Sequence, residues 1–235
     1  MKQAFLDPEL SAPFRLTSAN SINVSRLIPQ TFYYVRAAMQ RPPRSRDWFV
    51  VPSGNLGNLT AGLMAQQLGL NAAGFIAATN RNDNFVRHLD GRPLLDPPAL
   101  RTPSNAMDVA VPSNLERIRF LAKQDPNIPS FVTATAVDDE AALDEIGRVK
   151  REYGYLLDPH TAVGWVAAER HLERRPDADI ILLATAHPAK FPDTVRAATG
   201  YEPERPPQLQ GLEVRTKQSL AMPAAYEAFR GWFIQ

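Results

Sequence analysis

The sequence predicts an α/β protein built on a mainly parallel sheet with helices on both faces. Three short runs, Trp48-Phe49-Val50-Val51, residues 74–78 and Ile180-Ile181-Leu182-Leu183-Ala184, are continuously apolar, as expected of strands buried on both faces. The segments between them carry apolar residues at helical spacing. Strands that alternate with helices need crossover connections and so favour parallel pairing. The chain has 235 residues, 44% of them hydrophobic and 22% charged, enough to bury one sizeable core.

Each element follows in order. Between residues 23 and 39, Val24, Leu27, Ile28, Phe32, Val35 and Met39 recur at helical spacing, predicting a mostly buried helix kinked at Pro29. The first strand ends in Pro52-Ser53-Gly54 and leads into a helix carrying Leu59, Leu63, Met64 and Leu68, closed by Gly69. The pattern repeats as a strand at 74–78, a short helix at 83–89 and a proline-rich excursion over 90–105. Ser113 is the expected N-cap, with Glu116 three residues on, of a helix facing inward through Leu115, Ile118, Leu121 and Ala122. Asp138-Asp139-Glu140 opens a helix that runs to about residue 153, because negative charge is favourable at the positive end of a helix dipole. A further helix is expected over 159–175, with Val163, Val166, Ala167 and Leu172 inward, and residues 180–184 are the strongest candidate for a central strand.

Composition narrows the function. Lys plus Arg total 26 against 25 for Asp plus Glu, so the net charge of +1 provides no general field for nucleic acid or an anionic membrane. The aromatic cluster Phe32-Tyr33-Tyr34 has no basic groove beside it and reads as core, not as a base-stacking platform. Cysteine is absent, which excludes disulfides, thiolate metal sites and a thiol nucleophile. The four histidines lack ligand spacing, so no metal site is expected. Neither a signal peptide nor a membrane span is visible near the N-terminus, and a cytoplasmic location is the default expectation. Only five of the basic residues are lysines: Lys2, Lys123, Lys150, Lys190 and Lys217.

The segment most suggestive of chemistry is Ser53-Gly54-Asn55-Leu56-Gly57-Asn58, between a strand and a helix. Consecutive amides and a helix N-terminus in such a turn can wrap a phosphate. Gly54 and Gly57 would admit the anion closely, while Asn55 and Asn58 could add side-chain donors or cap the helix. A tight turn with an N-cap explains the same residues about equally well by motif logic. No Gly-Lys-Ser/Thr follows, and the glycines do not have dinucleotide-loop spacing.

Further segments accompany the loop. They are Ser18-Ala19-Asn20-Ser21-Ile22-Asn23-Val24-Ser25-Arg26, Ala77-Ala78-Thr79-Asn80, Ser104-Asn105-Ala106-Met107-Asp108, Asp158-Pro159-His160-Thr161-Ala162-Val163 and Ala184-Thr185-Ala186-His187-Pro188-Ala189-Lys190-Phe191. In sequence and in order, this set resembles the bacterial threonine synthase family, pyridoxal-phosphate enzymes of the tryptophan-synthase-β-like group. The resemblance runs from about Lys2 almost to the C-terminus. It implies most of the large domain of that fold, with residues 201–235 as an extension packed on it. The implied cofactor is pyridoxal 5'-phosphate, and the implied reaction converts O-phospho-L-homoserine and water to L-threonine and phosphate by γ-elimination and β-addition. By the same resemblance, Gly54, Asn55, Leu56, Gly57 and Asn58 hold the cofactor phosphate, and Thr185 faces the pyridine nitrogen.

Ser21, Asn23 and Arg26 are the candidates for the substrate phosphate, since a guanidinium can bind two phosphate oxygens at once. An N-cap serine and a surface arginine are the plainer reading of Ser21 and Arg26. His160 is expected to cap its helix or approach the site, and His187 to shape the turn after Thr185. The family's Schiff-base lysine lies upstream of the Ser-Ile-Asn motif in a Phe-Lys-Asp context that has no counterpart here, and Lys190 matches a different family lysine. No residue of this chain is therefore assigned the catalytic role. The expectation is one of three: a C-terminal portion of the enzyme, one half of a split enzyme whose N-terminal half is a separate chain, or a relic. The competing function is a non-catalytic phosphate- or nucleotide-binding α/β module. If strands from elsewhere normally complete the sheet, an exposed strand edge and exposed apolar helix faces are expected as well.

Overall fold

The computed structural model describes residues 2–43, 45–212 and 214–234. Its helices are α1 (Lys2–Leu6), α2 (Pro8–Ser11), α3 (Gln30–Ala38), α4 (Gly57–Gln67), α5 (Asn84–Leu89), α6 (Leu115–Gln124), α7 (Asp139–Tyr153), α8 (Pro159–Arg174), α9 (Pro192–Thr199) and α10 (Tyr226–Ile234). The strands are β1 (Trp48–Pro52), β2 (Gly74–Thr79), β3 (Val132–Ala136) and β4 (Ile180–Leu182). They form a parallel sheet in the order β3-β2-β1-β4, with Phe49 opposite both Phe75 and Ile181. No helix of the described residues is long and apolar enough to cross a membrane.

Alternation along the central strands assigns their side chains to two layers. Phe49, Val51, Phe75 and Ala77 pack beneath α4, with Tyr34 of α3 and Leu115 and Ile118 of α6. Val50, Ile76 and Ala78 meet Ile146 and Val149 of α7 and Val163, Val166 and Ala167 of α8 on the opposite face. This is the α/β arrangement with both faces covered. The Asp138 carboxylate accepts the Ala141 N–H at 2.8 Å, which starts α7 where the acidic run predicts and holds the carboxyl below its ordinary value. At the other end of the chain, α10 reaches the N-terminal helices. The Tyr226 hydroxyl and the Arg230 guanidinium donate to the Asp7 carboxylate at 2.7 and 2.9 Å, and the Phe14 and Phe233 rings meet edge to face.

Three expectations change, and one strand was not anticipated. Residues 180–184 do not form a central strand: β4 is the outer strand beside β1, ends at Leu182, and leaves Ile180, Ile181 and Leu182 only half-buried. Continuous apolarity reports contact on both faces and says nothing about neighbours in the sheet. β3 had no clear apolar run to announce it, because Val132-Thr133-Ala134-Thr135-Ala136 is a half-exposed edge strand. Ser113 is not the cap of α6: Asn114 holds that position, and Ser113 bonds Asn55 instead. The helix expected over 23–39 is a 3-10 turn at Val24–Arg26 followed by α3, which begins directly after Pro29.

That break changes the angular phase, so the predicted inner stripe faces outward. Leu27 is buried, but Val24, Ile28, Val35, Phe32 (66% exposed) and Met39 (74% exposed) lie on the surface. Tyr34 takes the inner position because its ring packs against Phe49 and Phe75 while its hydroxyl finds acceptors on Asn58. Of the aromatic cluster, therefore, only Tyr34 is fully core.

An outward stripe of this kind, together with the outer edge of β4, favours self-association. Sedimentation velocity on the purified chain should show concentration-dependent oligomers, and a Phe32→Lys/Met39→Glu double variant should shift the distribution toward monomer. A wild-type chain that stays monomeric across the concentration range would refute this.

Candidate functional site

The site lies where β1 and β4, parallel neighbours, both deliver their C-terminal ends to one edge of the sheet. Ligands of open parallel sheets bind at that edge. β1 exits through Ser53, whose N–H donates to the Ala78 carbonyl at 2.8 Å and whose hydroxyl donates to the Val51 carbonyl at 2.7 Å. The chain then turns at Leu56, which has a φ of 58° and is the one non-glycine residue in the left-handed region among the described residues. For a leucine this conformation costs on the order of 1–3 kcal/mol. The first hydrogen bond of α4 runs from the Thr60 N–H to the Leu56 carbonyl at 2.9 Å, so the amides of Gly57, Asn58 and Leu59 have no partner within the helix. They point out of the positive end of an 11-residue helix.

The two asparagines differ. Asn55 is committed inside the protein: its Nδ2 donates to the Ser21 Oγ at 2.7 Å, and its Oδ1 accepts the Ser113 N–H at 2.6 Å and hydroxyl at 2.9 Å. Its backbone carbonyl accepts Asn114 Nδ2 at 2.8 Å. The Asn58 Oδ1 accepts the hydroxyls of both Tyr33 and Tyr34, which leaves its amide nitrogen as the end able to donate outward. Burial pushes both tyrosine pKa values up, so the two hydroxyls keep the protons they donate. The Ser21 Oγ accepts from Asn55 and, at 3.3 Å, from Asn114. With both lone pairs engaged, its hydroxyl proton is available only for donation. Arg117 supports the turn from below, donating to the Asn114 Oδ1 at 2.6 Å and to the carbonyls of Ser21 and Ile22.

The opposite wall comes from α8 and from a 3-10 turn at Asn105–Met107. Asp158 caps α8 by accepting the His160 N–H at 2.9 Å, and it also accepts from the His160 ring Nδ1 at 2.9 Å and from the Thr161 hydroxyl. Burial alone would raise this carboxyl; the hydrogen bonds from His160 and Thr161 outweigh it and hold the pKa below its ordinary value. Together the walls enclose a cleft of about 180 Å³ lined by the whole 53–58 loop, Ser21 and Gln30 on one side and Ala106, Met107, His160 and Thr185 on the other. No Lys, Arg, Asp or Glu lines it among the described residues. An anion here would be held by neutral donors and the helix terminus.

Of the residues expected from sequence, the cleft gathers Gly54, Asn55, Leu56, Gly57, Asn58, Thr185 and Ser21. It does not gather Asn23 or Arg26. The Asn23 carboxamide is spent on its own turn, accepting the Ser25 N–H and donating to the Ser18 carbonyl, both at 3.1 Å. Arg26 is exposed. His187 is exposed and accepts the Ala189 N–H at 3.1 Å, shaping the turn after Thr185 as expected. Sequence reasoning missed Ser113, Asn114 and Arg117 because their role is to build the loop's support from a helix that follows about 60 residues later. Ala106 and Met107 lay within a noted motif but had no side-chain chemistry to mark them.

Comparison with known proteins shows what the chain resembles. The model of the family described as "Threonine synthase, C-terminal" matches residues 161–232. Threonine synthase of Escherichia coli strain K12 is 42% identical over 234 residues, which is 98% of this chain and 54% of that enzyme. The crystal structure of the E. coli enzyme superposes with a TM-score of 0.91 at 39% identity, covering 99% of this chain and 54% of that one. The PLP-bound threonine synthase of Brucella melitensis gives 0.84 at 32% identity, covering 99% and 55%. The fold is thus that of an α/β protein built like the threonine synthases. The chain is a homologue of the C-terminal portion of threonine synthases and spans about half the length of the relatives it matches.

The closeness of the two walls is testable at Gly54, where an added Cβ would sit 2.7 Å from the Met107 Cα and 3.2 Å from the Ala106 carbonyl oxygen. Backbone cannot yield as a side-chain end can. Gly54→Ala should destabilise the chain by about 1–3 kcal/mol in urea unfolding, the usual range for overpacking; an unchanged midpoint would mean that the 105–107 turn is not seated on the loop.

Proposed function

We propose that this chain supplies the cofactor-phosphate side of a threonine synthase site, in an enzyme that converts O-phospho-L-homoserine and water to L-threonine and phosphate. The observation that carries the reading is the 53–58 loop, whose unpaired amides at the start of α4 lie in a cleft with Ser21 and Thr185, in a chain about 40% identical to threonine synthases. The donor set fits a phosphate monoester. The amides of Gly57 and Asn58 and the obligate Ser21 donor present N–H and O–H groups with no competing carboxylate.

Pyridoxal phosphate, when bound, supplies the electron sink that the elimination and addition require. The chain's residues do the rest of this half of the work. Gly54, Asn55, Leu56, Gly57 and Asn58 anchor the phosphate through the loop backbone. Thr185 would offer a neutral hydroxyl to the pyridine nitrogen, which, unlike a carboxylate, would not favour protonation of that nitrogen. Ser21 is the candidate for orienting a phosphate at the cleft, and the exposed Arg26 for approaching a substrate phosphate from outside it. Asn23 contributes by fixing the turn between them. The lysine that the chemistry needs is assigned to polypeptide equivalent to the rest of the relatives' length, joined to this chain or separate.

Binding measurements separate this from a generic phosphate-binding module. Titration calorimetry with pyridoxal 5'-phosphate should show binding that inorganic phosphate competes away. Gly57→Asp should abolish it, since its Cβ would crowd Ser21, 3.2 Å away, and bring a carboxylate to the anion site. Thr185→Val should weaken pyridoxal 5'-phosphate while leaving inorganic phosphate unchanged. Binding retained in Gly57→Asp would remove the loop from the site, and no effect of Thr185→Val on either ligand would favour the generic module.

A further inference from the structure

His160 joins the two walls of the cleft. Its Nδ1 lies 2.9 Å from the Asp158 carboxylate, and its Nε2 lies 3.2 Å from the Ala106 backbone nitrogen, whose N–H points at it. The carboxylate can only accept, and the amide can only donate. One form of the ring satisfies both partners: neutral, with the proton on Nδ1 and a lone pair on Nε2. The ring is buried at 3% exposure and packs against Phe191 at 4.9 Å. The same Ala106–Met107 backbone rests on Gly54 so closely that no Cβ fits between them.

We propose that His160 is a positioning residue: through the Asp158-fixed Nδ1–H form it clamps the 105–107 turn onto the phosphate loop and so sets the width of the cleft for a phosphate monoester. The clamp ties three segments far apart in sequence, the loop at 53–58, the turn at 105–107 and the start of α8. It uses up both ring nitrogens, so His160 acts by holding backbone and not by exchanging a proton with a ligand. Its effect on ligands rests on the phosphate-loop reading above, whereas the clamp itself stands on hydrogen bonds within the chain.

Two variants and two readouts test it. His160→Leu removes both hydrogen bonds, and His160→Gln restores an acceptor for the Ala106 N–H. In amide hydrogen exchange, Ala106 should exchange about tenfold faster in His160→Leu, the scale of one lost hydrogen bond. Amides of β1 and β2 should keep their wild-type rates, and His160→Gln should recover most of the Ala106 protection. Affinity for pyridoxal 5'-phosphate should fall in His160→Leu and be partly rescued in His160→Gln. An unchanged Ala106 rate overturns the clamp, as does equal acceleration throughout β1 and β2, which would make His160 a general support of the core. Lost Ala106 protection with unchanged ligand affinity overturns its role in setting the cleft. If the wild-type chain binds no pyridoxal 5'-phosphate at all, the phosphate-loop reading fails, and the exchange data still decide the clamp.

Discussion

The Asn55 carboxamide is the constraint on which the site depends. Its two ends and its backbone carbonyl connect the loop after β1 to Ser21 before α3 and to Ser113 and Asn114 at the start of α6. These contacts hold the chain at Leu56 in a left-handed conformation that a leucine does not choose on its own. The benefit of that turn is geometric. It brings the loop round so that α4 begins with the Gly57 and Asn58 amides at the cleft, and the buried Leu56 side chain, 2% exposed, anchors the turn in the core beneath.

Holding an anion with neutral groups follows from the same arrangement. A cationic side chain among the lining residues would have to be desolvated against Leu56, Met107 and Pro52. Backbone amides carry no such penalty, because they must be buried near a helix start in any case, and the helix dipole adds favourable potential at the same point. Positive charge stays one layer back: Arg117 neutralises no ligand but ties Asn114 to the carbonyls of Ser21 and Ile22, fixing the donors that do line the cleft.

How much of this was legible in the sequence differs from element to element. β1, β2, α4, α7 and α8 were, because each carries a local signal: an apolar run, a helical stripe or an acidic cap whose meaning does not depend on distant residues. The face of α3 was not. Its stripe from Val24 to Met39 keeps helical spacing across Pro29, but the backbone before that proline is a 3-10 turn, so spacing counted through it assigns the wrong side. β4 misled in another way, since Ile180 and Leu182 pack toward α8 and Ile181 and Leu183 toward the α4 layer, giving a two-sided apolar pattern to a strand with one neighbour. At the site, the loop and Thr185 were legible as motifs. The supporting residues were not, because Asn114 and Arg117 matter through hydrogen bonds to residues more than 50 positions away.

The division of labour in the cleft bears on where the chemistry resides. His160 lines the cleft with both ring nitrogens engaged, one by Asp158 and the other by the Ala106 N–H. The serines, the threonine and the amides can orient an anion, but their proton affinities are far from those a general base needs at neutral pH. None of the lysines lines the cleft among the described residues, and Lys190, the nearest to Thr185 in sequence, is exposed at the end of the turn that His187 caps. On the proposed reading the lining serves recognition, and a proton-moving group would enter the cleft from beyond it. The loop at the end of β1 and Thr185 at the end of β4 are placed for that, because both sit at the exposed C-terminal edge of the sheet, where an additional segment can approach without disturbing either core layer.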